Sequence, residues 1–368
     1  MNKQVIRCKN CLMPRETKGL SFDENGKCSL CTEYLQTPHP DDTQKSYTLL
    51  NQTIEAVKQR GAKASFDCVV GVSGGMDSTY LLYLLSHKHG LRCLAAYYRT
   101  PFTPPEIDAN IRKITSFLSV PLVEINLSHE YHCNVAAYFV RLWNDVHDQT
   151  LVNLACAPCK LLNRELYRIA QQWGIRSIVH GNNKYEDVSI AAGQLRTNKR
   201  DRYSVSTNLL RIFAIGTRGV VTLFRHPGVL RYFGIAFKAS ILYLNFYSVF
   251  LRVRYPFIRV INYFHEAEWH EQDAKNILED LGWKVPDSYH SMKKADCSFA
   301  HLKNMMTSLS SGANYSDSIF SNMVRYGYIE RDEALSRLQQ EGQPPEGPIS
   351  EAYRTLGLPD GYIKYQRE

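Results

Sequence analysis

The chain has 368 residues, 44% of them hydrophobic and 22% charged, with 21 glycines and 15 prolines. That composition excludes an intrinsically disordered, collagenous or low-complexity protein, and the length suffices for one large domain with appendages or for two domains with separate cores. Lysine and arginine outnumber the acids 44 to 36, a formal net charge of +8, so the location of the excess matters more than its sum.

The opening stretch, Met1 to Cys8, has no apolar run behind its positive charges. It does not read as a secretory signal, and a cytoplasmic protein is expected. Ten cysteines, six of them in three Cys-x-x-Cys pairs, point to metal ligation or redox chemistry in a reducing compartment rather than to a disulfide scaffold. Cys8, Cys11, Cys28 and Cys31 have the spacing of a four-thiolate zinc knuckle, each pair presenting two sulfurs to one tetrahedral ion. Four thiolates leave zinc no open position, so the expected role is structural. The Pro-containing stretch from Thr37 to Asp42 reads as a linker, and a helical pattern runs from Tyr47 to Arg60.

Short apolar runs then alternate with longer helical patterns. Strands are predicted at Asp67–Val72, Leu91–Tyr98, Pro121–Leu127 and Ile175–Gly181, and helices at Ser78–His89, Pro105–Leu118, His129–Val146 and Leu161–Trp173. Near-continuous apolar strands separated by helices predict an α/β fold: a parallel sheet with helices on both faces, whose ligands bind at the carboxyl ends of the strands. The expected organisation is a cysteine knuckle over 1–40, the α/β domain over 41–195, a basic and aromatic-rich segment over 196–264, and a helical region over 265–368. In the basic segment, twelve lysines and arginines from Arg196 to Arg259 face one acid, Asp201, giving about +11 there against about −3 elsewhere. Such a stretch suits a nucleotide-sugar, RNA, a lipid surface or an acidic partner, or is a solvated basic face. Its longest uncharged apolar run, Ala239 to Leu251, has 13 residues, too few to span a bilayer.

The most informative segment is Gly71-Val72-Ser73-Gly74-Gly75-Met76-Asp77-Ser78, a predicted strand running through a glycine turn into a helix. Glycines let the backbone turn tightly against a ligand, and first-turn helix amides favour phosphate. No lysine follows the glycines, which excludes the kinase-type phosphate loop. The segment resembles the Ser-Gly-Gly-x-Asp-Ser loop of the PP-loop ATP pyrophosphatases, which cleave ATP to AMP and pyrophosphate while adenylating a carbonyl oxygen. The resemblance implies that Gly71, Ser73, Gly74, Gly75 and Ser78 hold the pyrophosphate end of ATP, with Asp77 near its magnesium and Asp77 and Ser78 catalytic. His180-Gly181-Asn182-Asn183-Lys184-Tyr185-Glu186-Asp187 is a looser second match, implying that Gly181, Asn182, Glu186 and Asp187 line the nucleotide site.

The third pair, Cys156-Ala157-Pro158-Cys159, precedes a predicted helix and belongs near the same sheet edge. With Cys297 it has the makings of a three-cysteine iron–sulfur cluster of the [4Fe-4S] type that some sulfur-transferring PP-loop enzymes carry; a redox dithiol, a shared zinc or a structural pair are the other readings. Cys156 and Cys159 are thus candidate catalytic residues as well as candidate ligands. Cys68, Cys93 and Cys133 read as small core residues, and His129 and His132 as surface or packing residues.

Taken together, the opening Cys-x-x-Cys with Leu12-Met13-Pro14, the glycine loop, Cys156-Ala157-Pro158-Cys159-Lys160, His265-Glu266-Ala267-Glu268-Trp269 with Leu281-Gly282-Trp283, and Asp296-Cys297-Ser298-Phe299-Ala300 resemble the N-acetyl sugar amidotransferase family of bacterial surface-polysaccharide and O-antigen assembly. The resemblance implies an ATP-dependent, AMP-forming carbon–nitrogen ligase that converts the acetamido group of a UDP-linked acetamido sugar to an acetamidino group. It also implies two partners supplying ammonia, a separate glutaminase subunit and a cyclase-like barrel subunit, since no glutaminase pattern stands in this chain. The competing class is a PP-loop tRNA thiolase with an iron–sulfur cluster; the absence of a recognisable tRNA-binding appendage weighs against a nucleic-acid partner. An ATP-binding scaffold without chemistry is the third, against which Asp77 and Ser78 stand.

Overall fold

The structure, a computed structural model, describes residues 5–36, 43–186, 246–287, 289, 294–341 and 345–363, together with Gly234. Most of the basic segment, and Asp187, lie outside the described residues.

The chain opens with the cysteine knuckle, followed by helices α1 (Ser29–Gln36) and α2 (Thr43–Gly61). The sheet then builds from β1 (Cys68–Val72), β2 (Cys93–Tyr97), β3 (Leu122–Glu124), β4 (Ser177–His180) and β5 (Arg259–Asn262). The strand order is β3-β2-β1-β4-β5, with every pairing parallel. Cys68 pairs with Cys93 and Val72 with Tyr97 between the two central strands. Parallel strands need crossovers, which are supplied by α3 (Met76–Tyr83), α4 (Pro105–Phe117), α5 (His129–Val146), α6 (Gln149–Leu154) and α7 (Leu161–Gln172). All five residues of β2 are buried, as are all but Gly71 of β1. Successive side chains of β1 enter different cores: Cys68, Val70 and Val72 join one, Val69 the other. A strand buried on both faces requires the continuous apolar run seen in the sequence.

The chain winds outward from β1 to β3 and then returns to place β4 on the other side of β1. This reversal opens a crevice between the carboxyl ends of β1 and β4, where α/β sheets bind ligands.

Four predicted strands are present within a few residues of their expected bounds; β5 is an addition. It lies at the end of the basic segment, where no strand is expected, and Arg259 is itself exposed on it. The predicted helix Ser78–His89 is α3 followed by a π-helical turn, Leu84–Lys88. One helix, α8 (Phe246–Arg254), precedes β5; beyond the strand the chain is helical as expected, with α9 (Tyr263–Glu266), α10 (Glu271–Asp280), α11 (Ser298–Ser311), α12 (Tyr315–Arg325), α13 (Arg331–Glu341) and α14 (Glu346–Thr355). These helices do not form a separate core. Phe264, Trp269, Trp283, Phe320 and Met323 share one cluster with β1 and β2, while Phe299, Met306 and Tyr353 pack on Trp143 and Phe139 of α5. Among the described residues, no helix is long and apolar enough to cross a membrane.

Candidate functional site

At the carboxyl end of β1 the chain turns through Ser73, Gly74 and Gly75 into α3. Gly74 has φ +86°, and a Cβ there would lie 2.4 Å from Cγ2 of Ile107; both facts demand glycine. At Gly75 a Cβ would come within 3.2 Å of the Asp296 carboxyl carbon, so the residue type there lets an acid from the far end of the chain approach the loop. Trp283 clamps the turn from behind, its Nε1 donating to the Gly74 carbonyl at 2.9 Å. Ser78 Oγ accepts the Ser73 amide at 3.1 Å and donates to the Gly75 carbonyl at 3.2 Å. No side chain caps the start of α3, which leaves its first-turn amides directed at the crevice, the arrangement that receives an anion.

The crevice is a cavity of about 260 Å³. Gly71, Ser73, Gly75, Asp77 and Ser78 line it from the β1 side, and Gly181, Asn182 and Glu186 from the β4 side. Gly74 contributes the turn behind them. The two sequence matches, about a hundred residues apart, therefore meet in one place.

Asp77 sits at the centre. Its Oδ2 accepts from Asn183 Nδ2 at 2.9 Å. Burial pushes its carboxyl well above the usual carboxylate range, and the nearby Glu186 adds to the effect. A cation delivered to the crevice relieves both. Asn183 is 1% exposed and its Oδ1 has no hydrogen-bond partner. Across the cavity, Lys294 Nζ pairs with Glu186 Oε1 at 2.9 Å and lies 4.9 Å from the centre of the Tyr315 ring. Burial opposes the Lys294 ammonium, but the facing Glu186 carboxylate more than offsets it and holds the group charged above the ordinary lysine range. Lys294 also has φ +57°, rare for a side-chain-bearing residue. Strain of this kind is retained where surrounding structure over-determines it, and it clusters at functional sites.

Sequence reasoning missed Lys294, Asp296, Trp269 and Trp283 as parts of this site. Each stands inside or beside a segment singled out for another reason, but only tertiary packing brings it to the loop.

Cys156, Cys159 and Cys297 share one neighbourhood, on two elements. Cys156 precedes and Cys159 lies within the 3₁₀ turn Ala157–Lys160 before α7, and Cys297 precedes α11. Burial raises Cys159 to about 12, with Cys156 contributing, and Cys297 is raised by burial and by Asp296. Asp296, which reaches the glycine loop, thus links this neighbourhood to the crevice. Cysteine thiols are the donors that iron–sulfur clusters take, so the set suits such a group in kind. Its sulfurs do not close on a single ion: among the described residues, the only ligand atoms lying within 4.8 Å of one another in a set of three or more are those of Cys8, Cys11, Cys28 and Cys31.

Of the two histidines expected at the surface or in packing, His132 is the one that packs, against Tyr98 and Phe102. It is 1% exposed, with Nε2 3.7 Å from Cys159 Sγ and Nδ1 3.1 Å from the Tyr98 hydroxyl. Burial holds its imidazole neutral, lowering it to about 4. His129 stays at the surface, bonding the Arg99 carbonyl at 2.7 Å. Cys68 and Cys93 are core residues as expected, and Cys133 is half-buried.

The N-terminal thiols form a preassembled site. All four are fully buried. Sulfur–sulfur hydrogen bonds draw Cys8 and Cys11 below their ordinary value and push Cys28 and Cys31 above it, and a bound metal is what lets all four ionise together. A wholly buried cluster of four free thiols with no apolar substitute is the donor set of a closed structural metal site.

No known protein-family profile matches the chain. It is 22% identical over 182 residues to an uncharacterized protein, MJ1599, of Methanocaldococcus jannaschii, an alignment spanning 48% of this chain and 59% of that protein's length. Among solved structures it is similar to an NMN synthetase from Francisella tularensis (20% identity, TM-score 0.29, 39% of this chain and 56% of that one). It is also similar to the U34-tRNA thiolase NcsA from Methanococcus maripaludis with its [4Fe-4S] cluster (13% identity, TM-score 0.36, 98% of this chain and 88% of that one). The chain itself is an α/β protein: a parallel five-stranded sheet covered on both faces, a glycine-turn crevice at its switch point, a four-cysteine site before it and helices after it.

Proposed function

We propose that the chain is an ATP-dependent, AMP-forming enzyme of the PP-loop type, and specifically an amidotransferase acting on the acetamido group of a UDP-linked acetamido sugar. The observation that carries the first half is the placement of Ser73-Gly74-Gly75-Met76-Asp77-Ser78, with uncapped helix amides, at the sheet's switch point beside Asp77 and opposite Lys294. The sequence resemblance carries the second half.

In this reading the triphosphate lies along the loop, with the first-turn amides of α3, Ser73 and Ser78 bonding the departing pyrophosphate. Asp77, oriented by Asn183, would hold the magnesium that accompanies ATP and that neutralises pyrophosphate charge when bound. The acetamido oxygen attacks the α-phosphorus and pyrophosphate leaves. Ammonia then adds to the activated carbon, and AMP departs with the former carbonyl oxygen, leaving the acetamidino group. An amide is a poor electrophile, and the adenylate supplies the leaving group it lacks. The four N-terminal cysteines would hold structural zinc, and Cys156, Cys159 and Cys297 an iron–sulfur group or second metal. Ammonia would come from a separate glutaminase docked with a barrel-type partner.

A tRNA thiolase is the second reading, favoured by the meeting of Cys156, Cys159 and Cys297 near the crevice. One experiment separates the two. Anaerobically purified protein is given ATP, magnesium and ammonium, and AMP is measured after adding UDP-acetamido sugars or bulk tRNA. Sugar-dependent AMP is expected; AMP that depends on tRNA overturns the amidotransferase reading.

A further inference from the structure

The knuckle is built into one wall of the crevice. Leu12 belongs to the main core, and its amide donates to Ser321 Oγ on α12 at 3.1 Å. Arg7 bridges the same two parts, donating to the Leu12 carbonyl at 2.7 Å and to Asp317 Oδ1 on α12 at 2.6 Å. Asp317 is 4% exposed and closes the capping box of α12, its Oδ2 accepting the Asn314 amide at 2.8 Å. From α13, Arg331 donates to the carbonyls of Cys8 and Cys11, each at 3.2 Å. Two metal ligands thus have their own backbone tied to the C-terminal helices.

The opposite stripe of α12 faces the crevice. Ile319 and Met323 line the cavity, and Asn322 Nδ2 donates at 2.8 Å to the carbonyl of Tyr185, another lining residue. Asp317 and Ser321, four residues apart, mark one face; Ile319, Asn322 and Met323 mark the other. One helix therefore carries the knuckle on one side and the cavity wall on the other.

We propose that the knuckle is a strut for the nucleotide crevice: a metal on Cys8, Cys11, Cys28 and Cys31 fixes Leu12 and Arg7, these fix α12 through Ser321 and Asp317, and metal occupancy thereby sets nucleotide affinity. Arg7, Asp317 and Ser321 are positioning residues, since none lines the cavity. This inference rests on reading the crevice as a nucleotide site. Because coupling between two binding events is reciprocal, a nucleotide in the crevice strengthens metal binding at the knuckle by the same factor.

The test uses the full chain, metal-loaded or metal-stripped by chelation, with a non-hydrolysable ATP analogue and calorimetry at a temperature where circular dichroism shows both forms folded. Stripping is expected to weaken nucleotide binding about tenfold, and the analogue to raise the chelator concentration needed for stripping correspondingly. Ser321→Ala and Arg7→Gln, which keep all four thiols, cover the case in which the stripped chain unfolds. They are expected to retain metal and secondary structure while the Kd for the analogue rises and the chelation shift shrinks. Equal affinity with and without metal, or in these variants and the wild type, overturns the strut. If the loaded wild-type chain fails to bind the analogue at all, the nucleotide reading falls and the strut falls with it.

Discussion

Asn183 Nδ2 donates to Asp77 Oδ2 at 2.9 Å, joining the loop after β4 to the first turn of α3 across 106 residues, and Asp77 lines the crevice. A partner of this kind orients a ligating carboxylate. Asn183→Ala is expected to lower AMP formation about 10- to 100-fold, the usual effect of losing such support, while Asp77→Asn abolishes it with the melting temperature held or raised, because burial disfavours the Asp77 charge. AMP release assays beside thermal melts check both. Full activity in folded Asp77→Asn removes that residue from the site.

Gly74→Ala tests the loop by sterics alone. At φ +86° an alanine costs about 1–2 kcal/mol, and its methyl meets Ile107 at 2.4 Å. The variant should melt lower and lose nucleotide binding together. Wild-type binding would show that the turn need not keep this shape.

The two cysteine sites should separate cleanly. Cys8→Ser is expected to lose metal from the N-terminal site and to lower stability and solubility, because a closed four-thiolate site contributes folding free energy directly. Cys156→Ser is expected to keep that metal but lose activity. Elemental analysis of both variants alongside AMP assays decides the matter; an active Cys156→Ser protein would end any catalytic role for that thiol.

His301 gives a prediction in pH. Burial lowers it to about 4, and its Nε2 bonds the Lys294 carbonyl at 3.2 Å. Between the ordinary value of 6.5 and 4, the unfolded chain binds a proton that the folded one refuses. Stability is thus lost as pH falls through that window, on the order of 2 kcal/mol by pH 5 from this group. His301→Gln should flatten the melting temperature between pH 6.5 and 5 relative to wild type; an unchanged profile would assign the acid sensitivity to other groups.

What the sequence disclosed was local. The glycine loop, the Asn182 stretch and the four N-terminal cysteines each occupy a few consecutive or regularly spaced positions, and the chemistry follows from spacing. β1, β2 and β4 were legible because buried strands must be largely apolar; β3, at the sheet edge with Glu124 exposed, owes its legibility to its place in the alternation of strands and helices. Trp283, Lys294 and Asp296 were not legible, because nothing near them in the chain says that they end beside Ser73: Trp283 reaches Gly74 across 209 residues. The place of His132 beside Cys159 was not legible for a related reason, since its partners Tyr98 and Cys159 come from other elements. β5 was hidden by its charge, Arg259 and its exposed neighbours masking a strand that sits at the edge of the sheet.

That edge strand has a consequence for how such a protein can change over evolutionary time. β4 ends at residue 180 and β5 begins at 259, so 78 residues, 181–258, separate two adjacent strands. The entropy of closing a loop grows only logarithmically, about 0.6 kcal/mol for each doubling of length. Separation in sequence alone therefore costs the β4–β5 pairing little, whereas the end of the interval is fixed by packing, with Leu251 of α8 in the core and Tyr255 stacked on Tyr167. A change of length there leaves the glycine loop and its acid as they are.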